Sequence, residues 1–360
     1  MLHRRRRTIV IACLLGGVAV LAVTYEGGSA RQTRTPRPHL HHPAAPPPST
    51  TPPSTTSTTV ANRVYGVGEA SLVVTEPGKE LVAPHSPDGS LPAERQVSVS
   101  ILYPATGSPQ SGPVAHAAPA PGAPFPLVLF GPGFDQPTAE YLPVLEYWAA
   151  HGFIVAAITF PLTNPDAPGG PYRPDILNQP ADMAAVANAI LHDSATPSNG
   201  LYGLVDPAEI ALSGQSDGGD TALALAYNTC CRALDVSAVV IMSGAELHSY
   251  GGFPGTFFPA GVQLPPLLSF QGTDDPTLNP PAYTNQYFAA APEPKLLVCL
   301  DGADHLEAYT TTDAYESVVA QASTDFFDHY LRHEAGSLSA LREVVDGSSV
   351  ANFATSCPLD

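Results

Sequence analysis

Residues 210–228, IALSGQSDGGDTALALAYN, decide how this chain reads. An apolar run enters Gly214-Gln215-Ser216-Asp217-Gly218, and a helix of small residues leaves it. The pattern Gly-x-Ser-x-Gly occurs by chance in many proteins. Between a buried strand and a helix it describes a turn so tight that the serine takes strained backbone angles. Glycines two before and two after then let neighbouring backbone approach without a Cβ clash. The helix N-terminus behind Ser216 favours negative charge developing nearby.

Working outward, short apolar runs alternate with helical stretches. The segments 127–130 (LVLF), 153–159 (FIVAAIT), 208–213 (AEIALS), 238–243 (AVVIMS), 266–271 (PLLSFQ) and 295–300 (KLLVCL) read as strands covered on both faces. Residues 96–103 (QVSVSILY) alternate with period two and read as a half-exposed strand. Helices are expected over 138–151, 180–192, 218–228 and 312–333. In the last, Val318, Val319, Ala322, Phe326, Tyr330 and Leu331 share one stripe. Trp148 falls among apolar neighbours and reads as core. Repeated β-α-β units imply an α/β fold, a mainly parallel central sheet with helices on both faces.

A serine hydroxyl needs a base to take its proton, and that base needs an orienting acid. Both follow Ser216 in the order serine, acid, histidine. The run 271–276 (QGTDDP) puts a carboxylate after one strand, and 300–305 (LDGADH) puts His305 after the next. Asp275 is the preferred acid and Asp274 the alternative. Donors for an oxyanion are expected from backbone N–H groups. The loop FGPGF (130–134) offers that of Phe134, and the first turn of the elbow helix offers that of Asp217.

The ordered set resembles the α/β-hydrolase fold. Within it, the chain is similar to serine esterases around dienelactone hydrolase-like proteins, platelet-activating-factor acetylhydrolases and cutinases. The resemblance rests on residues 99–104 (VSILYP), 129–134 (LFGPGF), 147–155 (YWAAHGFIV), 180–182 (PAD), 214–219, 272–276 and 302–305. It implies Ser216 as nucleophile, His305 as base, Asp275 as acid, and Phe134 and Asp217 as oxyanion donors. It also implies a small-molecule or lipid ester as substrate, cleaved through an acyl-enzyme. Dienelactone hydrolases use cysteine where this chain has Ser216, so their substrate is not implied. Gln215 stands where histidine is common, a change the turn should tolerate. Asp217 adds a carboxylate beside the nucleophile, and its side chain is expected to point away from the reacting centre. Phe134, Phe253 and Phe257 are expected to line an apolar substrate pocket at the sheet edge; for the loop 250–259, phenylalanines simply packed down are an equal alternative. A lipid-directed acetylhydrolase and a catalytically silent envelope binding protein are the rival readings.

Composition bounds the rest. Fifteen Lys+Arg against 33 Asp+Glu give a net charge of −18, and many of the bases fall in the first 37 residues. That balance excludes a nucleic-acid partner. The chain is 44% hydrophobic, enough for a sizeable core, and carries 40 prolines. Arg4–Arg7 precede an uncharged run of 17 residues, Thr8–Thr24. Residues 1–30 therefore read as an export signal, cleaved or retained as a membrane tether. Residues 31–61 read as a disordered Pro/Thr-rich linker, in which His39, His41 and His42 belong to a basic tract rather than a metal site. Residues 62–360 are expected to form the catalytic domain, with no cofactor and no metal. Outside the export segment lie Cys230, Cys231, Cys299 and Cys357, four cysteines that allow three pairings. Cys299 with Cys230 is disfavoured by distance, a vicinal Cys230–Cys231 bond by strain, and Cys357 is able to reach one of the others. The oligomeric state is left open.

Overall fold

A computed structural model describes residues 64–76, 94–109, 112–248 and 250–359. The expectations for residues 1–61, the signal or tether and the linker, lie outside the described residues.

Among the described residues ten strands form one sheet: β1 (Gly66–Glu76), β2 (Arg95–Ala105), β3 (Val114–Ala115), β4 (Phe125–Gly131), β5 (Ile154–Thr159), β6 (Val205–Gln215), β7 (Ala238–Met242), β8 (Leu267–Gly272), β9 (Lys295–Leu300) and β10 (Ala351–Ala354). Their order across the sheet is β10-β9-β8-β7-β6-β4-β5-β2-β1-β3. The run from β9 to β5 is parallel throughout. β2 joins β5 antiparallel, β1 joins β2 antiparallel, and β10 closes the far edge antiparallel to β9. Strand β4 shows why these segments are strands: all seven of its residues are buried. Leu127 and Leu129 face one apolar layer, Val128 and Phe130 the other. The mainly parallel sheet expected from the apolar runs is therefore present, with antiparallel edges.

Helices cover both faces. On one lie α2 (Gln179–Ala195), α3 (Asp217–Tyr227) and α4 (Pro281–Ala290), which share a core with β2, β4 and β6. On the other lie α1 (Leu142–Ala150), α5 (Glu307–Thr310), α6 (Ala314–Tyr330) and α7 (Ser337–Asp346). Trp148 is fully buried there, and its indole N–H donates to Ser323 Oγ at 2.8 Å. The single helix expected over 138–151 is divided into a 3₁₀ turn, Thr138–Tyr141, and α1, with Pro143 in the first turn of α1. Strands β1, β3 and β10 and helices α4, α5 and α7 were not among the elements expected from sequence, although Leu338, Leu341 and Val345 give α7 a helical stripe.

A buried charge cluster ties β2 to the turn before α2. The guanidinium of Arg95, 1% exposed, donates to Asp175 at 2.6 and 3.0 Å and to Asp182 at 2.5 and 2.7 Å. Burial pushes the Asp182 carboxyl up to about 7 while Arg95 pulls against that shift. Two carboxylates on one planar guanidinium set the entry of α2 and the 3₁₀ turn Arg173–Asn178 that precedes it.

The cysteines pair as Cys230–Cys231 and Cys299–Cys357. The vicinal bond, disfavoured on strain from sequence, is present, with Cα atoms 3.7 Å apart. It sits just beyond α3, where backbone bonds from Cys231 N to Asn228 O hold the turn. Cys357 reaches β9 because β10 runs back along that strand and delivers it beside Cys299, Cα to Cα 5.5 Å. This bridge spans 58 residues, including the whole segment from β9 to the tail. The loop length predicts that Cys357→Ser costs about 2–4 kcal/mol. Thermal unfolding without reductant should show a midpoint several degrees lower, and an unchanged midpoint would remove the bridge from the stability account.

Candidate active site

The parallel strands end on one edge, and the loops leaving β4, β6, β8 and β9 meet there. At the end of β6 the chain turns into α3 within Ser216, whose φ is 52° and ψ −124°. Only close glycine packing accommodates this turn. A Cβ on Gly214 would come within 2.3 Å of the Gly218 carbonyl, and one on Gly218 within 2.0 Å of Gly131 O. The spacing seen in the sequence thus corresponds to backbone of β4, β6 and α3 in direct contact.

Ser216 Oγ lies 2.9 Å from His305 Nε2, a pair 89 residues apart in the chain. His305 Nδ1 lies 2.5 Å from Asp275 Oδ2, and the Asp275 carboxylate is 1% exposed. With the ring proton on Nδ1, that nitrogen donates to Asp275 and Nε2 is free to accept from the serine. Asp275 also accepts from the backbone of Leu278 and Asn279 at 3.3 Å. Asp274, the alternative acid, is exposed, and its backbone N–H is committed to Ala303 O at 2.9 Å. Asp304 Oδ1 caps the following turn through Leu306 N and Glu307 N. Gly272 packs so closely on this loop that a Cβ there would meet Asp304 O at 2.5 Å. The acid-bearing and histidine-bearing loops are therefore stitched together before any ligand arrives.

The N–H groups of Phe134 and Asp217 take no backbone acceptor outside helices and strands among the described residues. Gly133 between them and the serine is close enough that a Cβ would lie 3.3 Å from Ser216 Cβ. A cleft of about 240 Å³ opens over these atoms. Its walls include Phe134, Arg173, Leu278, Asn279 and Leu306 around Ser216 and His305.

Asp217 is fully buried, and its carboxylate receives Arg173 through Nε at 2.9 Å and Nη2 at 2.6 Å. The side chain is thereby turned to an arginine at the cleft wall, and its charge is matched. Asp217 in turn holds the Arg173 guanidinium ionised, against the opposing effect of burial. One helical turn on, burial pushes the Asp220 carboxyl well above its usual range, with the Asp217 charge adding to the rise; the Ala245 N–H donates to it at 2.6 Å. Sequence reasoning missed Arg173. The signal available was its scarcity, a lone cation before α2 in a chain with 15 Lys+Arg.

Phe253 and Phe257 do not line this cleft. Phe253 is buried at 7% exposure against Ile176, Ala224 and Leu247, and Phe257 packs beside them. These rings found a better apolar partner in the outer face of α3 than in an open cleft, so the expected pocket role passes to Leu278 and Leu306. Phe134 alone of the three stands at the cleft, with the Arg173 guanidinium 5.9 Å from its ring centre. Among the described residues no cluster of three metal-ligating side chains occurs.

A ferulic acid esterase from Streptomyces cinnamoneus superposes with a TM-score of 0.57 over 81% of this chain and 97% of its own, at 20% identity. The chain has the α/β-hydrolase fold. A family model described as chlorophyllase matches residues 92–246 of the chain, a segment holding Ser216 but ending before Asp275 and His305. No curated protein sequence matches it. Solved structures that match number 1024, so the shared fold leaves the substrate to be argued from the site.

Breaking the Arg173–Asp217 pair tests its place in the site. Arg173→Gln strands a buried carboxylate beside Ser216. Because the guanidinium is 38% exposed, the cost should be about 1–3 kcal/mol, below that of a fully buried pair. Arg173→Gln with Asp217→Asn should recover most of the lost stability in denaturant titration. A double variant no better than the single one would contradict a charge-matching role.

Proposed function

We propose that this α/β-hydrolase is an exported serine carboxylic ester hydrolase. The observation that carries the reading is the Ser216–His305–Asp275 chain of contacts, 2.9 and 2.5 Å, at the mouth of an apolar-walled cleft. Ser216 Oγ attacks the ester carbonyl as its proton passes to His305 Nε2. Asp275, hydrogen-bonded at Nδ1, stabilises the imidazolium and holds the ring in place. Charge gathers on the former carbonyl oxygen, where the N–H groups of Phe134 and Asp217 stabilise it. The imidazolium then protonates the departing alcohol, leaving an acyl-enzyme. Water, deprotonated by the same histidine, attacks that ester, and collapse of the second tetrahedral species returns the proton to Ser216. Both disulfides support export, since such bonds persist in oxidising compartments. The Arg4–Arg7 and Thr8–Thr24 sequence supports it independently.

The likeness to a ferulic acid esterase and the chlorophyllase family match support ester chemistry over peptide cleavage. The cleft is small and its one cation is matched by Asp217, which favours a neutral acyl group over an anionic one. A lipid-directed ester is the second reading, favoured by Leu278, a cleft residue 63% exposed, with Tyr283 also exposed nearby. Dispersed and aggregated forms of one glycerol ester separate the two readings: a rate that jumps at the solubility limit marks a lipid-directed enzyme.

Ser216→Ala and His305→Ala should each lower kcat/KM on p-nitrophenyl esters by about 10⁴-fold or more, with the fold retained. Asp275→Asn should cost about 10³–10⁴-fold, while Asp274→Asn stays within about two-fold, since Asp274 is exposed and Asp275 is the acid in contact with His305 Nδ1. A Ser216→Ala protein keeping half its activity would end the assignment.

A further inference from the structure

Gln215, the residue before the nucleophile, is 1% exposed and spends both ends of its amide on other loops. Its Nε2 donates to the backbone carbonyl of His305 at 2.8 Å. Its Oε1 accepts from the Tyr141 hydroxyl at 2.8 Å. The same hydroxyl accepts the Gly133 N–H at 3.2 Å. Directionality leaves no freedom in this chain of bonds. A carbonyl only accepts, so the amide nitrogen must face His305. The Tyr141 oxygen already receives the Gly133 proton, so its own proton points to Oε1. Burial pushes the Tyr141 hydroxyl well above the ordinary phenol range, which keeps that proton in place.

We propose that Gln215 is a positioning residue that locks the nucleophile turn, the histidine loop and the oxyanion loop into a single working geometry. The inference rests on the hydrolase reading above. Gly133 immediately precedes Phe134, whose N–H is the expected oxyanion donor, so a bond that orients the Gly133 peptide orients that donor. Closeness is enforced as well as bonding: a Cβ on Gly133 would meet Gln215 Oε1 at 2.5 Å. At the other end, the amide nitrogen stands 3.3 Å from His305 Nε2, the atom that receives the serine proton. An amide N–H there can face only the lone pair of neutral Nε2, the one the Ser216 hydroxyl also meets, so the contact holds the ring in place beside the serine. No other side chain among those contacts reaches both the histidine and the oxyanion loop.

Three variants separate the arms. Gln215→Met keeps the volume and loses every bond. Gln215→Glu keeps an acceptor for Tyr141 and sets a carboxylate oxygen against the His305 carbonyl. Tyr141→Phe deletes one oxygen and cuts only the oxyanion arm. Each should lower kcat on a p-nitrophenyl ester by about ten-fold or more, with KM within about two-fold, because loss of a buried hydrogen bond disturbs the transition state rather than the cleft walls. Thermal unfolding, measured in parallel, identifies any variant that fails to fold, and Tyr141→Phe keeps the test valid if Gln215→Met does. The double variant Gln215→Met with Tyr141→Phe should lose less than the product of the two single losses, since Gln215 reaches Gly133 through the Tyr141 hydroxyl. Folded variants with wild-type kcat, or losses that multiply in the double variant, overturn the proposal. Labelling of Ser216 by a fluorophosphonate in the unmodified protein reports separately on the hydrolase reading: labelling with unaffected Gln215 variants defeats the clamp alone, and absence of labelling defeats both.

Discussion

A single residue of left-handed backbone carries the weight of this molecule. Ser216 ends a strand and begins a helix, and the turn exists only because Gly214, Gly218 and Gly131 allow three pieces of backbone to touch. A Cβ at Gly214 or Gly218 would force the helix from its place, and one at Gly131 would crowd Gly218 Cα at 3.1 Å. The contact sets the axis of α3, and with it the direction of the Asp217 N–H and the distance from Ser216 Oγ to His305. The strain is local and its compensation is distributed: α3 is buried over its whole length against β4, β6, β7 and α2.

Charge is handled with similar economy. The protein has few cations, and two arginines, Arg95 buried and Arg173 part-exposed, are set against buried carboxylates around α2 and α3. Arg95 holds Asp175 and Asp182 at the root of the turn before α2, and Arg173, two residues before Asp175, reaches over to Asp217. The first cluster is therefore the footing on which the second stands. An unmatched Asp217 beside the nucleophile would oppose an anionic transition state. Its carboxylate is tolerable there because a neighbouring loop is anchored well enough to bring an arginine to it. Buried ion pairs are weak evidence for net stability, and their effect here is on placement.

Much of the architecture was legible along the chain because its causes are local. Continuous apolar runs make doubly covered strands, and the six read from sequence correspond to β4 through β9. Glycine spacing around Ser216 required only that the strand and helix be recognised. The order serine, acid, histidine follows from loops that leave successive strands at one edge, and the geometry brings Asp275 rather than Asp274 to the imidazole because the former is buried under Asn279. Legibility failed where partners are distant. Phe253 and Phe257 have the composition of a pocket, yet α3 offered them a closed apolar surface. The vicinal Cys230–Cys231 bond runs against the expected strain, and Cys299–Cys357 depends on a tail strand too short to announce itself.

Sequence alone determined the α/β alternation, the strained serine, the acidic surface and the list of groups able to act on an ester, since these depend on residue types and their spacing over one or two elements. Tertiary structure alone decided which atoms meet: that Gln215 faces both His305 and Tyr141, that Arg173 answers Asp217, and that the cleft is walled by Leu278 and Leu306. The physical reason is range. Periodicity and turn chemistry act between neighbours in the chain, whereas a hydrogen bond between residues some 90 positions apart exists only after the sheet has brought its loops to a common edge.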